Sequence, residues 1–109
     1  MSNVRALPYQ VKKITVIAKG ADVLVREYLL GPGESIPWHR HSEVTDCCYC
    51  LEGKVLIETR APDARHELTP GQSTTVVPPT AHHVSNPSRE PCRFLLIQGV
   101  GQYDFVNEG

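Results

Sequence analysis

The chain has 109 residues, enough for one domain with a single hydrophobic core. Its 11 basic and 12 acidic residues give a formal charge of -1, and the basic residues are scattered, which argues against a nucleic-acid-binding or anionic-membrane-binding protein. The first ten residues show no export-signal pattern, and no apolar run is long enough to span a bilayer, so we expect a cytoplasmic protein.

Short apolar or alternating runs, separated by turn residues, predict an all-β chain. No window keeps a helical apolar period over three turns. Proline and glycine mark the breaks: Glu52-Gly53 is one predicted turn, and Pro70-Gly71 fits the centre of a type II turn. The predicted strands cover residues 12–18, 22–30, 46–51, 54–59, 65–68, 73–77, 82–86 and 92–98.

Many short strands with little helix indicate a sandwich, a jelly roll or a small barrel. We expect a single domain over residues 1–109. Its ends, residues 1–11 and 99–109, are flanking segments whose structure the sequence pattern does not predict.

Two histidines separated by one residue suggest a metal site. Side chains two apart in a strand share a face, so His39 and His41 would point the same way, as two ligands of one ion require. The pair alone is a weak signal, because it is also typical of a solvated turn.

Residues 33–53 resemble the first conserved motif of the cupin superfamily. That motif is a glycine, five residues, His-x-His, three or four residues, glutamate, six residues and glycine. The sequence has Gly33, His39, His41, Asp46 and Gly53 at these spacings, so only the acid differs.

Residues 71–86 resemble the second cupin motif, which is a glycine, five residues, Pro-x-Gly, two residues, histidine, three residues and asparagine. Gly71, His82 and Asn86 are in register, whereas Val77 and Pro79 replace the proline and glycine. The two motifs together imply a single cupin β-barrel, the double-stranded β-helix or jelly roll, but no particular activity.

The resemblance implies that His39, His41 and His82 are metal ligands facing the barrel interior. Imidazole suits Zn, Cu, Fe and Ni, and a nearby carboxylate extends the choice to Mn. We therefore expect one divalent transition metal per chain, namely Fe, Mn, Ni, Zn or Cu. The alternative for His82 is a hydrogen bond to a loop.

Asp46 is one methylene shorter than the glutamate of the motif and is the fourth candidate ligand. Its length favours contact through a water molecule. If it is not a direct ligand it becomes the leading general base, or it orients a histidine. Glu43 is the other carboxylate nearby, but we expect it in a solvated turn.

Strand alternation places Cys48 and Cys50 on the same inner face as Asp46, with Cys47 and Tyr49 outside. We interpret these cysteines as small buried hydrophobes and keep a redox or soft-metal role for Cys48 as the alternative. Four apolar residues are candidates for a cavity wall, with plain core packing as the alternative for each: Trp38, Tyr28, Phe94 or Leu96. Arg26, if inward, is a candidate partner of an anionic substrate or of Asp46, and an outward, solvated arginine is the alternative.

The leading hypothesis is a metal-dependent enzyme acting on a small molecule, most simply a mononuclear dioxygenase with Asp46 as the candidate catalytic residue. Its alternatives are a cupin isomerase or lyase, and a non-catalytic metal-assisted binding or sensor protein. A structural metal site is the third hypothesis. Cupins of this size resemble homodimers, so we also expect a homodimer.

Overall fold

The computed structural model describes residues 11–109, which form ten β-strands and no helix. The predicted all-β chain is therefore confirmed over these residues, while the flanking segment predicted at 1–11 lies, apart from Val11, outside them. No helix that could cross a bilayer occurs within the described part. The strands are β1 (Lys13–Lys19), β2 (Val23–Leu30), β3 (Ser35–Arg40), β4 (Thr45–Glu52), β5 (Val55–Thr59), β6 (Ala64–Leu68), β7 (Ser73–Val76), β8 (His82–Ser85), β9 (Cys92–Gly99) and β10 (Val106–Asn107).

The strands form two five-stranded antiparallel sheets with the core between them. One sheet has the order β1-β2-β9-β4-β7, and the other has the order β10-β3-β8-β5-β6. Neighbours within a sheet are mostly distant in sequence, such as β4 beside β9 and β3 beside β8. Side chains far apart in the chain are therefore brought together between the sheets.

Strand β3 was not among the predicted strands, and Pro37 explains why. The pairing of β3 with β8 is regular at Ser35 and Ile36, shifts register, and resumes where His39 faces His82. Pro37 lies within the shift. Proline has no amide hydrogen to donate to a ladder, so its presence hides a strand in the sequence.

Two of the predicted turns are confirmed. Gln72 N donates to Thr69 O at 2.9 Å, and Gly71 has a φ of 91°, as the predicted type II turn requires. Gly53, the last glycine of the first motif, has a φ of 73° in the β4–β5 turn. A Cβ there would lie 2.7 Å from Pro91 O, so the turn packs against the backbone before β9 in a way that only glycine allows.

The core between the sheets is built by the inward-facing residues, which alternate with outward-facing ones along each strand. Tyr28 of β2 and Phe94 of β9 stack at its centre, with ring centroids 5.4 Å apart and planes 7° apart. Leu96 is buried with them, so the aromatic and aliphatic residues considered for a cavity wall are core residues instead.

The cysteines follow the predicted alternation. Cys48 and Cys50 are buried in the core, Cys47 is half-buried on the outer face, and Tyr49 is exposed. Cys92 is buried beside them, and all four thiols are free. The core packing predicted for Cys48 and Cys50 is therefore what the structure contains.

Burial of Cys92 gives a prediction for alkaline stability. Burial raises the pKa of the Cys92 thiol from 9.0 to about 12. The unfolded chain then loses this proton at lower pH than the folded chain, so the contribution of Cys92 to stability is complete below pH 9 and is lost as the pH rises toward 12. Urea unfolding between about pH 8 and 11 should show this decline. The decline of the unfolding free energy with pH should be shallower in Cys92→Ala than in the wild type. An equal decline in both proteins would contradict the prediction.

Candidate metal centre

Three strands from the two sheets position the four predicted ligand residues. His39 lies in β3, and His41 lies just beyond its end. His82 begins β8 and faces His39 across the ladder. Asp46 is near the start of β4 in the opposite sheet, so the four residues meet between the two sheets. All four side chains are buried, with exposed fractions of 1–3 %.

The side chains meet as a compact group. Asp46 Oδ2 lies 2.9 Å from His82 Nε2 and 3.1 Å from His41 Nε2. The His39 ring centroid lies 4.2 Å from that of His82 and 4.9 Å from that of His41. One ligand atom from each residue can be chosen so that all four lie within 4.8 Å of one another. Despite its shorter side chain, Asp46 reaches the imidazoles directly.

The three histidines use their Nδ1 atoms in the same way. Nδ1 lies 2.7 Å from Pro37 O in His39, 2.5 Å from Asp104 O in His41 and 2.9 Å from Thr80 O in His82. A carbonyl oxygen only accepts, so each Nδ1 carries the hydrogen. When the ring is neutral, its lone pair is therefore on Nε2, and this tautomer is the one that presents Nε2 to a metal ion.

The electrostatics of the group require a cation. The Nε2 lone pairs of neutral His41 and His82 would face the negative Oδ2 of Asp46, so a proton or a metal ion must lie between them. Burial acts to lower the pKa of His41, but the hydrogen bond and charge of Asp46 outweigh it and raise that pKa above 6.5. Burial acts to raise the pKa of Asp46, but its hydrogen bonds with His41 and His82 hold it well below the usual range. The donor set therefore suits a shared cation.

His39 is the electrostatic exception. Burial, together with the neighbouring His82, lowers the pKa of His39 to about 3. Its ring is therefore neutral at physiological pH and offers a free Nε2 lone pair. Nitrogen and oxygen ligands around one ion at about 2.0–2.2 Å lie about 3–4 Å apart, so small side-chain shifts would bring this group to metal-binding distances. The residues fit a divalent transition metal.

The C-terminal residues 100–109, for which no structure was predicted, cover this group. Phe105 stacks on the His39 ring at 4.4 Å, and Tyr103 lies 5.4 Å from the His41 ring. The main chain at residues 106–107 forms β10, which pairs with β3. This segment therefore supports two of the three histidines, although no pattern in its residues had indicated that role.

Two acidic side chains hold the C-terminal segment in place. Asp104 accepts hydrogen bonds from Ser42 N at 2.8 Å and Ser42 Oγ at 2.6 Å. Glu43, exposed as expected, accepts a hydrogen bond from Gln102 N at 3.1 Å. The turn after His41 is thus fastened to the segment whose carbonyl at position 104 orients the His41 ring.

We expect Asp104→Ala to weaken metal binding, because it loosens the carbonyl that fixes the His41 tautomer. Loss of such an outer partner typically costs about 10–100-fold in metal affinity, and we expect the lower end because the main-chain carbonyl is retained. Chelator competition measures the change. Asp63→Ala, at an exposed aspartate in the β5–β6 turn, is the control. Equal affinities in the two variants would contradict the role assigned to Asp104.

Two further polar residues reach Asp46 from β9 and β2. Gln98 Nε2 donates to Asp46 Oδ1 at 3.0 Å, and Arg26 Nη2 donates to Gln98 Oε1 at 2.6 Å. Sequence reasoning missed Gln98, although a signal existed. It occupies the same inward phase of β9 as Phe94 and Leu96, and a polar residue at an apolar position is informative.

A cavity of about 200 Å³ opens next to this hydrogen-bonded chain. It lies between the β1–β2 turn and the C-terminal segment, and Gln98 is part of its wall. The cavity therefore leads to a residue in direct contact with Asp46. Its lining consists of residues 19–24, 98 and 101–103.

Trp38 does not line the interior, which corrects the suggestion made from sequence. Its ring stacks on His83 at 5.5 Å and lies under the Arg60 guanidinium at 3.9 Å. Trp38 and His39 are adjacent in a strand, so they face opposite sides of the sheet. Placing His39 inward therefore places Trp38 outward. Arg26, by contrast, reaches Asp46 through Gln98, and no bound anion is needed to explain its position.

A family model and several solved structures are similar to this chain. The Cupin domain family model matches residues 26–98. No curated protein matches. The crystal structure of TT1209 from Thermus thermophilus is 25% identical, with a TM-score of 0.74, over 90% of this chain and 93% of that chain.

Two further structures share the fold at lower identity. A protein with a double-stranded β-helix domain from Klebsiella pneumoniae is 22% identical, with a TM-score of 0.75, over 86% of this chain and 82% of that chain. An oxalate oxidase in complex with the substrate analogue glycolate is 12% identical, with a TM-score of 0.79, over 99% of this chain and 60% of that chain.

Proposed function

This chain belongs to the cupin family, as its two motifs predicted, and on that premise we propose that it is a mononuclear metal-dependent dioxygenase acting on a small organic molecule. The observation that carries the proposal is the buried His39-His41-Asp46-His82 group, whose four ligand atoms lie within 4.8 Å of one another. The all-β cupin barrel predicted from the sequence is confirmed by the two facing sheets and by the related structures.

In this proposal His39, His41 and His82 hold the metal through Nε2, and Asp46 holds it through Oδ2. The Nδ1 hydrogen bonds to main-chain carbonyls fix the three rings before the ion arrives, which reduces the entropic cost of binding. When bound, a redox-active ion such as Fe or Mn supplies Lewis acidity and electron transfer with oxygen. The near-complete burial of the group excludes bulk water.

The cavity beside Gln98, whose lining includes none of the four candidate ligands, is the candidate binding space for a small substrate. Its volume of about 200 Å³ is below the usual range for drug-sized ligands, which is about 300–1,000 Å³. Its wall combines apolar residues such as Val23 and Leu24 with the polar Gln98 and Tyr103. A compact polar molecule of a few heavy atoms fits this description.

Elemental analysis and oxygen uptake test the proposal together. We expect one equivalent of a transition metal per chain and oxygen consumption with one class among enols, thiols and catechols. Glycolate and oxalate belong in the screen because a structural neighbour is an oxalate oxidase. Chelated protein and the same sample reloaded with metal are the controls. Metal binding with substrate turnover but no oxygen uptake would replace the dioxygenase by an isomerase or lyase.

Asp46 can be tested separately as a catalytic residue. In Asp46→Glu, tighter metal retention with lost turnover would replace the ligand role of Asp46 by that of a general base that does not bind the ion, since the longer side chain would be taken up by the metal. Unchanged metal content and unchanged turnover would make Asp46 incidental to both.

A non-catalytic metal-binding protein is the second candidate, and the enclosure of the site favours it. The four side chains are buried and the C-terminal segment covers two of the rings. Catalysis needs an open position on the metal, whereas a structural site is closed by protein ligands. Metal binding without turnover in the screen supports this candidate. A melting temperature that survives chelation would exclude a structural metal.

The homodimer and the cytoplasmic location stay predictions. Exposed apolar side chains on the described surface, such as Val16 and Val100, agree with a covering partner. Sedimentation velocity at micromolar concentration tests the dimer.

A further inference from the structure

The two oxygens of Asp46 have different surroundings. Oδ2 faces His41 and His82 at 3.1 and 2.9 Å. Oδ1 accepts the hydrogen bond from Gln98 Nε2 at 3.0 Å. The carboxylate therefore has one oxygen on the histidine side and one on the β9 side. Rotation about its last bond would break contacts at both oxygens.

Arg26 fixes which end of the Gln98 amide faces Asp46. A guanidinium has five donors and no acceptor, so the Gln98 atom 2.6 Å from Arg26 Nη2 must be the carbonyl oxygen. The amide nitrogen then necessarily points to Asp46, where it finds an acceptor. A flipped amide would place two donors together at one end and two acceptors at the other.

Arg26 is itself held in place. Its guanidinium carbon lies 5.5 Å from the Tyr28 ring centroid and 5.0 Å from that of Tyr103. Tyr28 is a core residue of the same strand, and Tyr103 belongs to the C-terminal segment beside His41. Gln98 is 2 % exposed, so its amide is also shielded from competing water. The chain of contacts therefore runs from the core to the candidate metal centre.

We propose that Arg26 and Gln98 are a positioning pair that holds the Asp46 carboxylate by Oδ1, so that Oδ2 alone is presented to the metal ion. The inference rests on the proposed metal site and explains how an aspartate serves where the motif has a longer glutamate. The shorter aspartate side chain cannot compensate for a misoriented carboxylate as the longer glutamate can. The orientation of its carboxylate plane therefore matters more.

The alternative is that these bonds only satisfy buried polar groups. The sign of one effect separates the two explanations. If the bonds only satisfy buried polar groups, the remaining effect of Arg26 on the metal ion is that of its positive charge. Removing that charge should then strengthen metal binding. Under the positioning role, removing Arg26 takes away one of the two contacts that hold the Gln98 amide, so the amide holds the Asp46 carboxylate less firmly and metal binding becomes weaker.

The experiment titrates Co²⁺ into metal-free wild type and variants, using chelator competition for affinity and the visible spectrum for coordination geometry. We expect Gln98→Met and Arg26→Met to bind Co²⁺ about 10–100-fold more weakly, with altered spectra. Arg26→Lys keeps a donor and should be close to wild type. Asn86→Ala is the matched control, because Asn86 is also a buried amide with hydrogen bonds to Leu30 O and Glu90 O, away from the site.

The outcomes separate this inference from the proposed function. Wild-type affinity and spectrum in Gln98→Met, or tighter binding in Arg26→Met, would overturn the positioning pair while leaving the metal site intact. Wild-type protein that binds Co²⁺ but turns over no substrate in its reloaded form would overturn only the enzyme. Wild-type protein that binds no Co²⁺ would overturn both. If Gln98→Met does not fold, the two Arg26 variants decide.

Discussion

Replacing His82 with alanine should abolish metal binding at stoichiometric concentrations. His82 is the ligand that β8 contributes to the proposed centre. Its Nε2 lies 2.9 Å from Asp46 Oδ2, whereas His41 Nε2 lies 3.1 Å from the same oxygen. Its removal takes away one of three imidazoles and leaves His39, His41 and Asp46 around a gap in a buried space. Outer partners of a metal site typically contribute about 10–100-fold in affinity, so loss of a direct ligand should cost more than about 100-fold.

The adjacent histidine provides a matched control. His83 points to the other side of β8, where it stacks on Trp38 and lies 3.4 Å from Glu58. His83→Ala should therefore retain the metal. His82→Gln keeps a polar side chain of similar size and guards against misfolding of the alanine variant. Elemental analysis of the wild type and the three variants is the measurement, and equal metal content in all four proteins would remove the premise of the metal centre.

Replacing Phe94 with alanine should cost about 3–5 kcal/mol of unfolding free energy. Phe94 is fully buried and stacks on Tyr28 between the two sheets. The truncation removes this contact and leaves a cavity that surrounding strands of a β-structure fill poorly. For a domain of this size the melting temperature should fall by at least about 12 °C.

An exposed apolar residue provides the comparison. Val77 is 59 % exposed, and Val77→Ala should change the unfolding free energy by less than about 1 kcal/mol. Urea denaturation of the metal-free proteins gives both values without a contribution from the ion. A loss below about 1 kcal/mol at Phe94 would contradict the placement of its side chain in the packed core.

The sequence alone determined much of the candidate centre, because the relevant signals are local. Strand alternation has a period of two, so His39 and His41 had to share a face, and the same rule placed Asp46, Cys48 and Cys50 inward. His82 was reached through motif spacing. Turns at residues 53 and 71 were predictable because their conformations limit the residue type.

The predictions from sequence were wrong where two local rules disagreed. Pro37 masked β3, because a residue without an amide hydrogen argues against a strand, although an irregular pairing accommodates it. Trp38 was a candidate for the cavity wall because of its aromatic character, whereas its neighbour His39 decides its direction. The alternation of side chains along the strand outweighed the general preference of an aromatic residue for the interior.

Only the tertiary structure decided which residues support the centre. Gln98 reaches Asp46 because β9 pairs with β4, and Arg26 reaches Gln98 because β2 pairs with β9 on its other side. The carbonyl of Asp104 meets His41 because the C-terminal segment folds back over β3. Alternation within a strand follows from local backbone geometry, but contacts between strands depend on how the sheets pair and close. That pairing is set by the packing of the whole core, which no local pattern encodes.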